Sequence, residues 1–219
     1  MRSTLRSGLR HARRAAGFTL IELLAVILII GILMAFLLPK IPEAIDQAEV
    51  TGCKANMSEI NKGLIMYRSK FGRIPKESGA RFLASLISTD TWENSEASAK
   101  KLTCPGVDLS AISVGDLPPT EWYVDLEMVD GATTSYAGRN IKEYPLRKFP
   151  GSGKEVIAAD DNDGGKNHRT ATVVLWADGN VTTFEIALLR EDGTIDREEE
   201  ILIVGPESPI EALQKLSLD

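Results

Sequence analysis

The chain has 219 residues, enough for one membrane anchor and one modest globular domain. Its formal net charge is -6, and no basic stripe runs through the body of the sequence, which excludes a nucleic-acid-binding module. No Gly-rich phosphate loop, nucleophile elbow or recognisable His/Asp/Ser arrangement is present, so nothing in the residues asks for an enzyme.

Residues 1–17 form a basic leader with Arg2, Arg6, Arg10, Arg13 and Arg14 and no acid. An apolar run follows over residues 18–38, in which the one charged side chain is Glu22. As a helix this run is about 30 Å long, enough to cross a bilayer's hydrocarbon core. Five arginines ahead of it hold the N-terminus in the cytoplasm and export the remainder, giving a single-pass topology. A secretory signal peptide has the same order but lacks an acid in its core, and Ala35-Phe36-Leu37 is a poor cleavage site. Arg13-Arg14 fits a twin-arginine signal no better than any basic leader, and a plain signal anchor leaves Glu22 unexplained. A carboxylate near the end of a membrane helix costs a few kcal/mol in lipid, so it needs a partner.

Gly17-Phe18-Thr19-Leu20-Ile21-Glu22-Leu23-Leu24, between that leader and the apolar run, resembles the N-terminal signal of the type IV pilin and type II secretion pseudopilin superfamily. The resemblance implies cleavage by a prepilin peptidase between Gly17 and Phe18 and methylation of the new N-terminus at Phe18. Glu22 would then pair with a neighbouring subunit's N-terminal amine during assembly. Pro39 matches the proline that members often carry just past the membrane segment. The partners so implied are the peptidase, other pilin or pseudopilin subunits, an inner-membrane assembly platform and membrane lipid. The implied location is the inner membrane, with the C-terminal domain periplasmic or extracellular. The alternative function is a membrane-anchored exported domain that binds or catalyses and never polymerises.

Beyond Pro39 and Pro42, Ile45, Ala48, Cys53, Met57, Ile60, Leu64, Tyr67 and Phe71 recur mostly three or four apart, one stripe of an amphipathic helix over residues 39–72. Gly72 and Pro75 stop it. The remainder, residues 73–219, reads as a globular antiparallel-sheet domain. A short helix is expected at 79–87, a polar loop at 89–101, and strands at 122–128, 155–159, 171–177 and 181–188. Asp178-Gly179 is a hairpin pair whose two turn positions are expected at positive φ. Ser208-Pro209-Ile210-Glu211 has the pattern of a helix start, for a final helix through Leu216. The fold class is therefore α+β, a long N-terminal transmembrane and amphipathic helix packed on a small antiparallel sheet.

Cys53 and Cys104 are the two cysteines. In an exported domain an even count favours a disulfide over two independent thiols, closing a loop of about fifty residues for ~3–4 kcal/mol. There is no CxxC, no Cys/His cluster along the chain and no zinc spacing. His168-Arg169-Thr170-Ala171-Thr172-Val173-Val174-Leu175-Trp176-Ala177-Asp178-Gly179, with Thr134-Ser135-Tyr136-Ala137-Gly138 upstream, resembles the C-terminal region of planctomycete-type prepilin-like proteins. A strand-start histidine satisfied by local hydrogen bonds is favoured for His168 over a ligand or pH-sensitive contact. In Asp160-Asp161-Asn162-Asp163-Gly164-Gly165 a solvated turn is favoured over a calcium site. The calcium reading rests on Asp161 and Asp163; against it, the run lacks the full D-x-D-x-D-G pattern and a closing glutamate. No other cofactor is expected.

Overall fold

A computed structural model describes residues 18–107, 112, 117–162 and 166–219. The chain forms two compact units, Met1–Pro42 and Glu43–Asp219.

In the first unit, helix α1 (Leu20–Leu37) is apolar on every face and buries none of its residues. That pattern suits lipid or another helix, not water. It is long and apolar enough to cross a membrane. A 3-10 turn at Leu38–Lys40, with Pro39 inside it, follows. Proline has no N–H to donate, and a tight turn absorbs that loss.

In the second unit, α2 (Ile41–Phe71) ends at Gly72, whose φ of +70° and N–H bond to the Arg68 carbonyl (2.8 Å) form a left-handed cap. Its buried stripe is Asp46, Val50, Cys53, Met57, Ile60, Gly63, Leu64 and Tyr67. Ile45, Ala48 and Phe71, expected on that stripe, are exposed. Counting back four residues from Val50 puts Asp46 there instead, an acid on the core face. Helix α3 (Gly79–Ser88) packs beside α2 through Phe82, Leu83 and Leu86 in the same core. The expected loop at 89–101 holds a short helix α4 (Glu96–Lys100), started by Ser95, whose hydroxyl accepts from the Ser98 N–H.

Five strands form one antiparallel sheet: β1 (Tyr136–Arg139), β2 (Val156–Asp160), β3 (Ala171–Trp176), β4 (Val181–Glu185) and β5 (Leu216–Ser217), in the order β4-β3-β2-β1-β5. On β3, Val173 and Leu175 face the α2/α3 core, while Val174 and Trp176 face a second core with Ile186, Leu202 and Leu213. Both faces of the sheet are therefore covered, which is why β2 and β3 read as nearly continuous apolar runs. A bulge between Val156 and Ala158 inserts Ile157, and the facing pattern of β2 shifts there.

Four expectations are corrected. Residues 122–128 are a turn and a 3-10 helix (Leu126–Met128), not a strand. Trp122 and Tyr123 are both buried, which strand alternation forbids for neighbours facing one core, and each has its own anchor. The indole N–H donates to the Leu117 carbonyl and the phenol O–H to the Thr133 carbonyl. The strand expected to run to residue 188 stops at Glu185 and becomes α5 (Ile186–Glu191), which turns Ile186 and Leu189 into the second core. In the β3–β4 hairpin only Gly179 takes positive φ (+90°). Its N–H closes a turn on the Trp176 carbonyl (2.9 Å), a turn followed by a glycine bulge, so Asp178 needs no left-handed backbone. The expected final helix is a 3-10 turn (Leu213–Lys215) leading into β5, because β1 offers an open edge to Leu216 and Ser217.

Arg139 at the end of β1 is buried and fully engaged. It donates to the Tyr144 and Val156 carbonyls and to Glu155 Oε2 at 2.7 Å. Glu155 is part-exposed, so the two buried carbonyls carry most of the cost of losing the arginine. Arg139→Met should lower unfolding stability by about 3 kcal/mol, read as a lower denaturant midpoint with an unchanged slope.

Candidate functional site

Two places concentrate chemistry, one in each unit. The first is the start of α1. Thr19 is the N-cap: its hydroxyl accepts from the Glu22 N–H (3.3 Å). Glu22 Oε2 accepts in return from the Thr19 N–H (2.8 Å) and hydroxyl (2.7 Å), a reciprocal capping box. From the sequence, the expected partner of Glu22 is a neighbouring subunit's N-terminal amine, with none foreseen inside its own chain. In the structure it satisfies the orphan donors of its own helix, at the end where the helix dipole favours a negative charge. Phe18 is exposed beside it, and Gly17 lies outside the described residues.

The second place is buried in the globular unit. Cys53 from α2, Cys104 from the segment after α4, Asp160 at the end of β2 and His168 ahead of β3 converge there. One donor atom from each lies within 4.8 Å of every other. All four residues are buried, and both cysteines and Asp160 are fully inaccessible. Cys53 Sγ donates to Asp160 Oδ1 at 3.0 Å, and Cys104 Sγ lies 3.2 Å from His168 Nε2. The same Nε2 is 3.5 Å from Asp160 Oδ2, which also accepts from the Val173 N–H at 2.6 Å.

Cys53 and Cys104 are thus free thiols, neither joined by the bridge the sequence favours nor independent of each other. Each sulfur has another partner in reach. His168 is likewise not a locally satisfied strand-start residue: its contacts come from Cys104 and Asp160, and its Nδ1 is buried with no hydrogen-bond partner. Burial pushes the Cys53 thiol well above its ordinary range. The Cys53 thiol beside it, with help from His168, lowers Cys104 to about 7 against the effect of burial. Burial raises Asp160 despite the nearby His168. Burial would lower His168, but Cys104 and Asp160 together raise it.

This is not a catalytic triad. In that arrangement the carboxylate orients the far ring nitrogen while the near one faces the nucleophile. Here Cys104 and Asp160 share one ring nitrogen, and no substrate could reach a sulfur with no accessible surface. The geometry is that of four donor groups packed within reach of one another.

Of the calcium candidates, Asp161 is buried, with its N–H donating to the Ser135 carbonyl, and Asp163 lies outside the described residues. Asn162 between them is engaged within the fold, donating to Thr172 Oγ1 and the Leu202 carbonyl. Sequence reasoning missed Asp160 and Asp46. Asp160 carries a signal, an acid closing an otherwise apolar strand, and Asp46 carries one in its place on the stripe of α2.

Residues 12–38 match the family model for the prokaryotic N-terminal methylation motif. The chain is 43% identical over 56 residues to type II secretion system core protein G of Pseudomonas aeruginosa, which takes in 26% of this chain and 39% of that one. It is 33% identical over 104 residues to the type IV narrow pilus major component PilA5 of Thermus thermophilus, covering 47% of this chain and 90% of that one. The chain belongs to the type IV pilin and pseudopilin superfamily. No solved structure gives a significant match.

Proposed function

We propose that this chain is a pilin-like structural subunit that assembles laterally into a type II secretion pseudopilus or a type IV pilus-like filament. The prepilin peptidase cuts between Gly17 and Phe18, Phe18 is methylated, and the subunit waits in the inner membrane with its N-terminus cytoplasmic and its domain exported. The inner-membrane assembly platform then stacks it on other subunits. The observation that carries this reading is α1, apolar all round, buried on no face, and bearing one carboxylate in its first turn. A helix of that kind buries itself in lipid before assembly and among its copies afterwards. Its work is packing and charge pairing, not turnover.

Cross-linking in cells tests the reading. A ladder of multimers dependent on the peptidase supports the filament, and a lone monomer supports an anchored domain that never polymerises. Gly17→Val should leave the precursor uncut, seen as an unshifted band when the peptidase is co-expressed, because a branched side chain replaces the glycine at the scissile bond.

A further inference from the structure

We propose that Cys53, Cys104, Asp160 and His168 form a four-coordinate site for a divalent transition metal of the zinc class. The donor set is two sulfurs, one imidazole nitrogen and one carboxylate oxygen, drawn from four separate segments and all buried. Soft sulfur and imidazole donors select zinc-like ions over calcium or magnesium. Around a tetrahedral zinc, donor atoms sit about 3.3–3.8 Å apart, from metal–ligand distances of about 2.0–2.3 Å. The separations of 3.2 Å from Cys104 Sγ to His168 Nε2 and 3.5 Å from that nitrogen to Asp160 Oδ2 lie close to those edges. Cys53 Sγ bonds the other carboxylate oxygen, Oδ1, at 3.0 Å, a contact that the metal would replace as the thiol gives up its proton.

Charge points the same way. A carboxylate and two ionisable thiols share this dry space, and the basic group paired with the carboxylate there is one histidine. A divalent ion supplies the missing counter-charge, and two thiolates, a carboxylate and a neutral imidazole around it leave one net negative charge, as in three-cysteine, one-histidine zinc sites. Metal bound at Nε2 places the ring proton on Nδ1, the atom left without a partner. Ligating histidines give that proton to a carboxylate or carbonyl. Asp46 is the candidate: a carboxylate oxygen lies within 4.8 Å of a His168 ring nitrogen without bonding Nδ1, and the carboxylate accepts from the Arg169 N–H and the Thr170 hydroxyl. Asp46 is thus a positioning residue.

The site would tie α2 to the segment after α4 and to the two central strands, so metal binding would be folding energy for the domain. It is independent of filament assembly. The test uses the full-length chain in detergent, reduced, stripped with chelator and dialysed against zinc alone. One zinc per chain should remain bound, and the melting temperature should rise by on the order of 10 °C. Cobalt(II) in place of zinc should show thiolate-to-metal charge transfer and the intense visible bands of a four-coordinate ion. Cys53→Ser and Cys104→Ser should lose those bands, and Asp46→Asn should keep them while binding about tenfold or more weaker. If the serine variants do not fold, the wild-type chain still decides: zinc should shield both thiols from alkylation and chelator should expose them. Zinc retained undiminished by folded serine variants, a six-coordinate cobalt spectrum, thiols alkylated equally with and without zinc, or a reduced chain that takes up no metal would each overturn the proposal.

Discussion

Glu22→Leu should enter the membrane at normal levels and build no filaments. Within one subunit the substitution removes the capping box on Thr19, worth about 1 kcal/mol to the helix start. It also removes a charge that costs a few kcal/mol in lipid, so insertion does not suffer. On the proposed charge pairing, the loss in the filament falls on the neighbour, whose new N-terminal amine would be left among apolar helices. An unpaired buried charge costs about 3 kcal/mol or more, on the order of a hundredfold in each subunit-addition constant. Over many additions that abolishes the polymer. Glu22→Gln separates the two roles, since the amide oxygen still accepts from Thr19 but carries no charge. Electron microscopy of sheared filaments, beside the membrane fraction, reads both variants. Filaments from Glu22→Gln would shift the role from charge pairing to helix capping, and filaments from Glu22→Leu would refute both.

Gly138→Ala should destabilise the globular unit by about 3 kcal/mol, lowering the melting temperature by on the order of 10 °C. On β1, Gly138 lies between Ala158 and Ser217, with α3 packed over it. A methyl group there would overlap the Gly79 carbonyl oxygen and sit 2.9 Å from its carbon and 3.3 Å from Leu83 Cγ. The obstacle is backbone, and Gly79 cannot simply move. Its φ is +62°, its own Cβ position is occupied by Asp219, and the next residue bonds to the Leu218 carbonyl. Relief therefore means lifting α3 off the sheet. An unchanged thermal midpoint would show that α3 has slack the packing does not suggest.

Several features were legible because they depend on neighbours a few residues apart. The length of the apolar run and the place of Glu22 need only helical rise and residue spacing. The stripe through Cys53, Met57, Ile60, Leu64 and Tyr67 follows from the 3.6-residue period, and Gly72 stops the helix because glycine takes a left-handed backbone cheaply. The alternation Val173/Leu175 against Val174/Trp176 follows from the two-residue period of a strand. Failures came where a partner far along the chain decided. Residues 122–128 alternate well enough for a strand, but among the described residues no strand pairs with them, and Trp122 and Tyr123 are anchored by carbonyls at Leu117 and Thr133 instead. Residues 208–216 carry a good helix start, yet the free edge of β1 takes Leu216 and Ser217.

Local spacing was thus enough for a basic N-terminal segment, a membrane-length apolar helix with one carboxylate in its first turn, and an amphipathic helix that follows. Those are properties of local spacing, and they are also what places the chain in the pilin superfamily. The tertiary structure decided which edge β5 closes, where α3 must touch β1 without a side chain, and that Cys53, Cys104, Asp160 and His168 meet. The physical reason is loop closure: residues separated by tens of positions are joined by sheet pairing and core burial, and no spacing along the chain encodes which of them end up within 4.8 Å of one another.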